Sequence, residues 1–246
     1  MSARHPILPK PRLIDRLVCF WRSESGLSVF SGWLIFLVFV LPPFLPPGTN
    51  RSLATDAVFA LVLLTGVLAL SERGLAWGLL MAATLVAIGI LLANRMIVVA
   101  EPVIRGAELV SLLLLLLVVL GQTFRAGPVT GHRIQGGIAG YLLLGLVWAQ
   151  AYSLVEILHP GSFSGAINAG AGHRSFAYFS FVTLTTVGYG DILPVHPAAR
   201  SLAMLEAVTG PLYVAILLAR LVSLAMAPHT QSRGGAGASS SGQTTP

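Results

Sequence analysis

The sequence predicts an all-α membrane protein with six transmembrane helices, plus one short helix that enters the bilayer without crossing it and leads into an irregular loop. Three observations predict this. Hydrophobic residues make up 55% of the 246-residue chain and charged residues only 10%, against about 25% charged in an ordinary soluble domain. The apolar residues gather into blocks of about 18 to 25, long enough to cross a bilayer as helices. Between the last two blocks lies an aromatic, threonine-rich stretch, Arg174 to Thr186, that is too short to cross.

The elements follow in chain order. Residues 1–26 form a basic leader with Arg4, Lys10, Arg12, Arg16 and Arg22, expected on the cytoplasmic side. Its charges precede any long apolar run, so no cleavable signal peptide is expected. The first block, about Leu27 to Val40, ends in a proline-rich run from Leu41 to Pro47 that no helix interior would carry. The second spans about Leu53 to Leu70. A tight turn, Ser71 to Gly74, leads into the third, Leu75 to Ala93. The fourth starts near Val103, contains the leucine run Leu112 to Leu117, and ends before Arg125. Residues 27–130 thus read as a four-helix membrane scaffold. No basic residue lies between Arg105 and Arg125, whereas a voltage sensor needs several arginines along one helical face. The fifth block runs from about Gly137 to Leu158, a Gly/Ser-rich loop covers 160–172, and the sixth block runs from about Ala199 to Ala227. Residues 228–246 are mostly small and polar and are expected to be disordered.

Charge sets the expected topology. The net charge of +6 sits in short loops and tails, where the positive-inside rule accounts for it better than nucleic-acid binding. The leader, Arg73 and the Arg125/His132/Arg133 loop fit the cytoplasmic side, which puts both termini inside and residues 159–200 outside. Arg95 and Arg105, in the 94–105 loop, count against this orientation. The single cysteine, Cys19, excludes an intrachain disulfide and any multi-cysteine metal site. No cofactor is expected.

The stretch from Phe179 to Asp191 carries the chemistry. A potassium ion sheds its water only for a cage of oxygens, and charged ligands would hold it too tightly to release it. Rings of neutral backbone carbonyls serve instead. Aiming successive carbonyls at one axis requires left-handed backbone at intervals, which glycine adopts at little cost. Gly188 and Gly190 in Thr186-Val187-Gly188-Tyr189-Gly190 meet that need. The carbonyls of Thr186, Val187, Gly188 and Tyr189 are the expected potassium ligands, with the Thr186 hydroxyl adding a ring on the cavity side. Val187 and Tyr189 are expected to point outward and pack. Residues 174–185 suit a half-helix whose negative C-terminal end favours a cation. By chance the five-residue segment arises on the order of 10⁻⁴ of the time in a chain this long, so it is read as a motif and not a glycine-rich turn.

The run Thr186-Val187-Gly188-Tyr189-Gly190-Asp191 resembles the pore loop of the potassium channel family, of the bacterial type with one pore loop per subunit. The resemblance implies that residues 131–227 form a pore module of outer helix, pore helix, selectivity filter and inner helix, preceded by about four helices. It implies a potassium-selective channel in the cell membrane, assembled as a homotetramer of identical subunits, with potassium as permeant ion. Tyr178 matches a pore-helix aromatic that hydrogen-bonds the acid after the filter, here Asp191. Gly210 falls where many members have a hinge glycine, and Pro211 beside it would add a bend. Val182 stands where some bacterial members have glutamate, so the slow filter inactivation tied to that acid is in doubt.

Other readings stay open at this point. A poorly selective cation pore would use the same architecture. Gly188-Tyr189-Gly190-Asp191 also satisfies the Gly-x-Gly-Asp pattern of intramembrane aspartyl proteases, which need a second carboxylate; only Asp56 is available in the membrane part. A secondary transporter predicts two corresponding broken helices, and only one break is found. Glu206, inside the sixth block, is expected to sit behind the pore helix and steady the filter. Arg220 is expected to snorkel to the cytoplasmic interface. His159, His173 and His196 flank the outer mouth and are candidates for pH sensing. Trp33, Trp77 and Trp148 are read as packing or interface anchors.

Overall fold

The computed structural model describes residues 25–41, 59–66, scattered positions between 78 and 89, and residues 100–124, 131–165 and 172–226. Most of the basic leader, the proline run, most of the third block, Asp56, Trp77, Arg95 and the tail lie outside them. Helix α1, Ser25–Ile35, continues through a π-helical turn, Phe36–Val40. Residues 59–66 are helical. Then come α2 (Glu101–Thr123), α3 (Gly131–Leu158), strand β1 (Phe163–Gly165), α4 (Gly172–Leu184), strand β2 (Ile192–Pro194) and α5 (Pro197–Ala225).

The long helices start where their sequences permit. Ala100 is extended at φ −60° and ψ 129°, and Pro102 occupies the first turn of α2 beside Glu101; proline there costs no hydrogen bond and the acid suits the positive end of the helix. His196 is likewise extended, Pro197 opens α5, and the His196 Nδ1 accepts from the Ala198 N–H at 3.3 Å, capping a free donor. Among the described residues, three helical stretches are long and apolar enough to cross a membrane: Glu101–Thr123, Arg133–Leu158 and Pro197–Ser223. The apolar part of α1, Val29–Val40, is shorter. The protein is thus mostly helical, with several long apolar helices.

Two buried clusters organise the packing. One joins α1, residues 59–66, α2 and α3 through Phe30, Leu34, Leu63, Leu115 and Leu143. The other joins α3, α4, α5 and both strands through Tyr152, Phe163, Phe176, Phe179, Ile192 and Ala199. In lipid such contacts stabilise by close packing, because the surrounding tails are as apolar as the side chains. Between the scaffold and α3 lies a polar link. Arg105 donates to Glu108 at 2.8 Å, and Gln150 on α3 donates to the same carboxylate oxygen at 2.9 Å. Glu108 is buried, so these donors spare it the high cost of an unpaired charge.

Several expectations are corrected. The mostly helical structure accords with the expected all-α class, and a short strand pair is added to it: β1 and β2 pair antiparallel, with Phe163 opposite Pro194 and Gly165 opposite Ile192. The first strand falls inside the segment expected to be loop. Helix α3 begins at Gly131, six residues before the expected start, and so takes in His132 and Arg133. Arg105 belongs to α2 and its buried ion pair, not to a loop. A further contact lies at the end of α2: the Arg220 guanidinium donates to the Phe124 carbonyl and lies 5.7 Å from the centroid of the Phe124 ring. That carbonyl belongs to the residue closing α2, where helix carbonyls lack partners of their own.

Candidate functional site: the Thr186–Asp191 loop and its support

The site begins where α4 ends. Thr185 N–H donates to the Phe181 carbonyl at 3.1 Å, and Thr186 N–H donates to Thr183 at 2.9 Å. The Val182 carbonyl then accepts from both Val187 (2.9 Å) and Gly188 (3.3 Å). These bonds fold the chain back sharply from the helix end. Beyond that point left-handed backbone recurs at every second residue: Thr186 at φ 62°, Gly188 at φ 58° and Gly190 at φ 78°. Val187 and Tyr189 between them have negative φ. In a plain strand successive carbonyls face opposite sides, and alternating the backbone handedness brings them to one side. Glycine takes this conformation freely, whereas threonine does so at a cost on the order of 1 kcal/mol. The sequence marked both glycines but gave no sign of the strained Thr186.

The side chains around the loop are held on several sides. The Tyr178 and Tyr189 rings lie parallel, 3° apart in plane with centroids at 6.4 Å. The Tyr178 hydroxyl lies close enough to the Asp191 side chain for the two to interact. Asp191 Oδ1 also accepts from the Ile192 N–H at 3.1 Å. Val187 and Tyr189 are 53% and 71% exposed in the single chain. The Tyr141 hydroxyl donates to the Leu184 carbonyl at 3.3 Å, at the end of α4.

On the far side of α4 sits Glu206, fully buried. Its carboxyl group meets two hydroxyls, Tyr152 on α3 and Ser180 on α4, the latter at 2.5 Å. Glu206 therefore touches α4 and α3 together. One turn later, a Cβ at Gly210 would overlap the Leu184 carbonyl oxygen, so α5 and the end of α4 are in backbone contact there. Pro211 lies inside α5, which continues unbroken past it to Ala225.

The strand pair clasps the loop's outer end. Gly165 has φ 102°, and a Cβ there would collide with the Asp191 carbonyl. The Ser162 carbonyl accepts from Val195 (2.8 Å) and His196 (3.2 Å). The His159 and His196 rings stack, 14° from parallel with centroids 4.5 Å apart. The His173 side chain lies outside the described ones. Among the described residues, no three His, Cys, Asp or Glu side chains gather as a metal site would require.

Sequence reasoning missed Tyr152, Ser180 and Gly165. The signal for the first two was Glu206 itself. A carboxyl buried in an apolar helix needs donors, and hydroxyl residues in the neighbouring apolar segments were the places to look.

Residues 141–227 match the family model described as "Ion channel". The chain is 35% identical over 80 residues to the inward rectifier potassium channel Kirbac3.1 of Paramagnetospirillum magnetotacticum, covering 31% of this chain and 24% of that protein. It is 36% identical over 88 residues to two pore potassium channel c of Oryza sativa subsp. japonica, covering 35% and 17%. It is 32% identical over 106 residues to potassium voltage-gated channel subfamily A member 10 of Mus musculus, covering 43% and 19%. The matches thus span a quarter or less of these relatives, which come from a bacterium, a plant and an animal and do not single out a bacterial type. No solved structure matches the chain. Residues 141–227, which hold most of α3, the Thr186–Asp191 loop and α5, are thus similar to ion channels, and the relatives matched over this part of the chain are named as potassium channels.

Proposed function

We propose that the chain is one subunit of a potassium-selective channel of the cell membrane, with Thr186-Val187-Gly188-Tyr189-Gly190 as its selectivity filter. One observation carries the reading: left-handed backbone at residues 186, 188 and 190, directly after a short helix that ends at Leu184. This is the backbone that a file of neutral carbonyl ligands needs. The carbonyls of Thr186, Val187, Gly188 and Tyr189 bind the ion, Gly190 completes the turn of the filter, and the negative end of α4 favours a cation beneath it. Tyr178, Asp191 and Glu206 hold the filter in shape. Each chain supplies one filter segment, so a closed ring requires identical subunits in cyclic symmetry, and four give the homotetramer. The relatives, named as potassium channels, support the choice of ion. The three remaining expected crossings, a cytoplasmic location for both termini and the four-helix count of the scaffold belong to this proposal as well.

Reversal potentials test it. Purified protein reconstituted in liposomes should pass current whose reversal potential follows the potassium gradient in mixed sodium and potassium. A reversal that tracks sodium equally would replace the selective reading with a poorly selective cation pore.

A further inference from the structure

We propose that Glu206 carries a proton and works as a neutral hydrogen-bond relay that positions the pore helix α4 between α3 and α5. The inference rests on reading residues 186–190 as the filter, and it deepens that reading by naming what holds the filter's supporting helix and in which chemical form. It comes from counting hydrogens. The Ser180 Oγ touches two oxygens: Glu206 Oε1 at 2.5 Å and the Gly145 carbonyl at 2.7 Å. A serine hydroxyl has one hydrogen, a backbone carbonyl has none, and an ionised carboxylate has none. With Glu206 ionised, one of the two contacts is left as bare oxygen against oxygen.

A protonated Glu206 removes the shortfall. Tyr152 O–H donates to Oε2, Glu206 Oε1–H donates to Ser180 Oγ, and Ser180 O–H donates to the Gly145 carbonyl. Three hydrogens then serve three contacts, and the chain of donors runs in one direction. Burial points the same way. Glu206, Tyr152 and Ser180 are all at 0% exposure, and no cation pairs with Glu206 among the described residues. A bare carboxylate at membrane depth with only two neutral donors is poorly compensated. The titratable groups facing it are Tyr152 and, farther off, Tyr141, both on α3; α4 presents only the Ser180 hydroxyl.

The relay joins one residue from each of three helices at a level just before Gly210, where α5 abuts the end of α4. Glu206 touches neither the ion nor the filter; it is a positioning residue acting through Ser180. Glutamine is the matching neutral isostere, since its amide donates to Ser180 while its carbonyl accepts from Tyr152. Alanine leaves buried hydroxyls unpaired.

The test combines infrared spectroscopy of the purified, reconstituted full chain with potassium flux. In the wild type at neutral pH, a protonated-carboxyl stretch is expected that disappears in Glu206→Gln. Glu206→Gln is expected to conduct with the wild-type potassium-over-sodium ratio, and Glu206→Ala to lose roughly tenfold or more of the current. Raising the pH removes the proton, so wild-type current is expected to fall on the alkaline side while that of Glu206→Gln holds. Two results would overturn the proposal: a wild-type spectrum without the protonated-acid band, or an assembled Glu206→Gln that conducts as poorly as Glu206→Ala. If Glu206→Gln does not assemble, the wild-type spectrum decides: coincident alkaline loss of band and current supports the relay, and a missing band refutes it. Absence of potassium current from the wild type would refute the channel reading, while the infrared arm would still decide the protonation of Glu206.

Discussion

At the scale of single residues, Gly188 and Gly190 differ from an ordinary tight glycine. Nothing lies within 4 Å of a Cβ built at either position, so space within the chain does not demand glycine there. Their φ angles of 58° and 78° do. Alanine at such angles costs about 1 to 2 kcal/mol, and the cost recurs in every subunit of a ring. A backbone that relaxes out of the left-handed region turns its carbonyl away from the file. Gly188→Ala and Gly190→Ala are therefore expected to abolish potassium-selective current while leaving membrane insertion and assembly intact. Size-exclusion chromatography in detergent checks the second outcome and reversal potentials the first. Normal selective current from either variant would remove the filter assignment.

At the scale of elements, α5 carries two neighbours with different duties. Gly210 meets the Leu184 carbonyl, so adding a methyl there overpacks a backbone contact at about 1 to 3 kcal/mol. Pro211 lacks an N–H for the Ala207 carbonyl one turn earlier and weakens the helix at that level. We expect Pro211→Ala to straighten and stiffen α5, changing open probability in single-channel recordings with the potassium-over-sodium preference unaltered. Gly210→Ala should instead impair assembly or the filter. Unchanged gating in Pro211→Ala would retire the hinge. The legibility of the fold divides along similar lines. Helices α2, α3 and α5 were readable because apolar run length is a strong local signal, and α4 because a short amphipathic stretch preceded the glycines. The β1–β2 pair was not, since two three-residue strands in a Gly/Ser-rich region have no periodicity to read. The left-handed backbone of the Thr186–Asp191 loop at residues 188 and 190 was legible for the same reason as the helices: its glycines are a local requirement. Its support was not, because Tyr152 and Ser180 lie 54 and 26 residues from Glu206 and a serine in an apolar helix has no spacing that reveals its partner. The Arg220 contact was not legible either, because the Phe124 carbonyl it meets lies 96 positions away.

At the scale of the whole molecule, the outward faces point to assembly. Helix α5 is mostly uncovered, with Met204, Leu205, Val208, Leu212 and Ile216 all exposed. Val187 and Tyr189 of the loop are exposed as well. A lone apolar helix face suits either lipid or neighbouring subunits, but the single segment of carbonyls proposed as ligands closes into a ring only with neighbours. The number of neighbours can be counted without a structure of the assembly. If one defective filter blocks conduction, mixing wild type and Gly188→Ala at equal expression leaves only the all-wild-type assemblies active. Random association of four chains makes that fraction about 1/16. Two chains would leave about a quarter and a single chain about half. The current per unit of protein at the membrane should therefore fall roughly sixteenfold against wild type alone. Repeating the measurement at several mixing ratios fixes the exponent of the wild-type fraction. An exponent near four supports the tetramer, and an exponent of two or one would replace it.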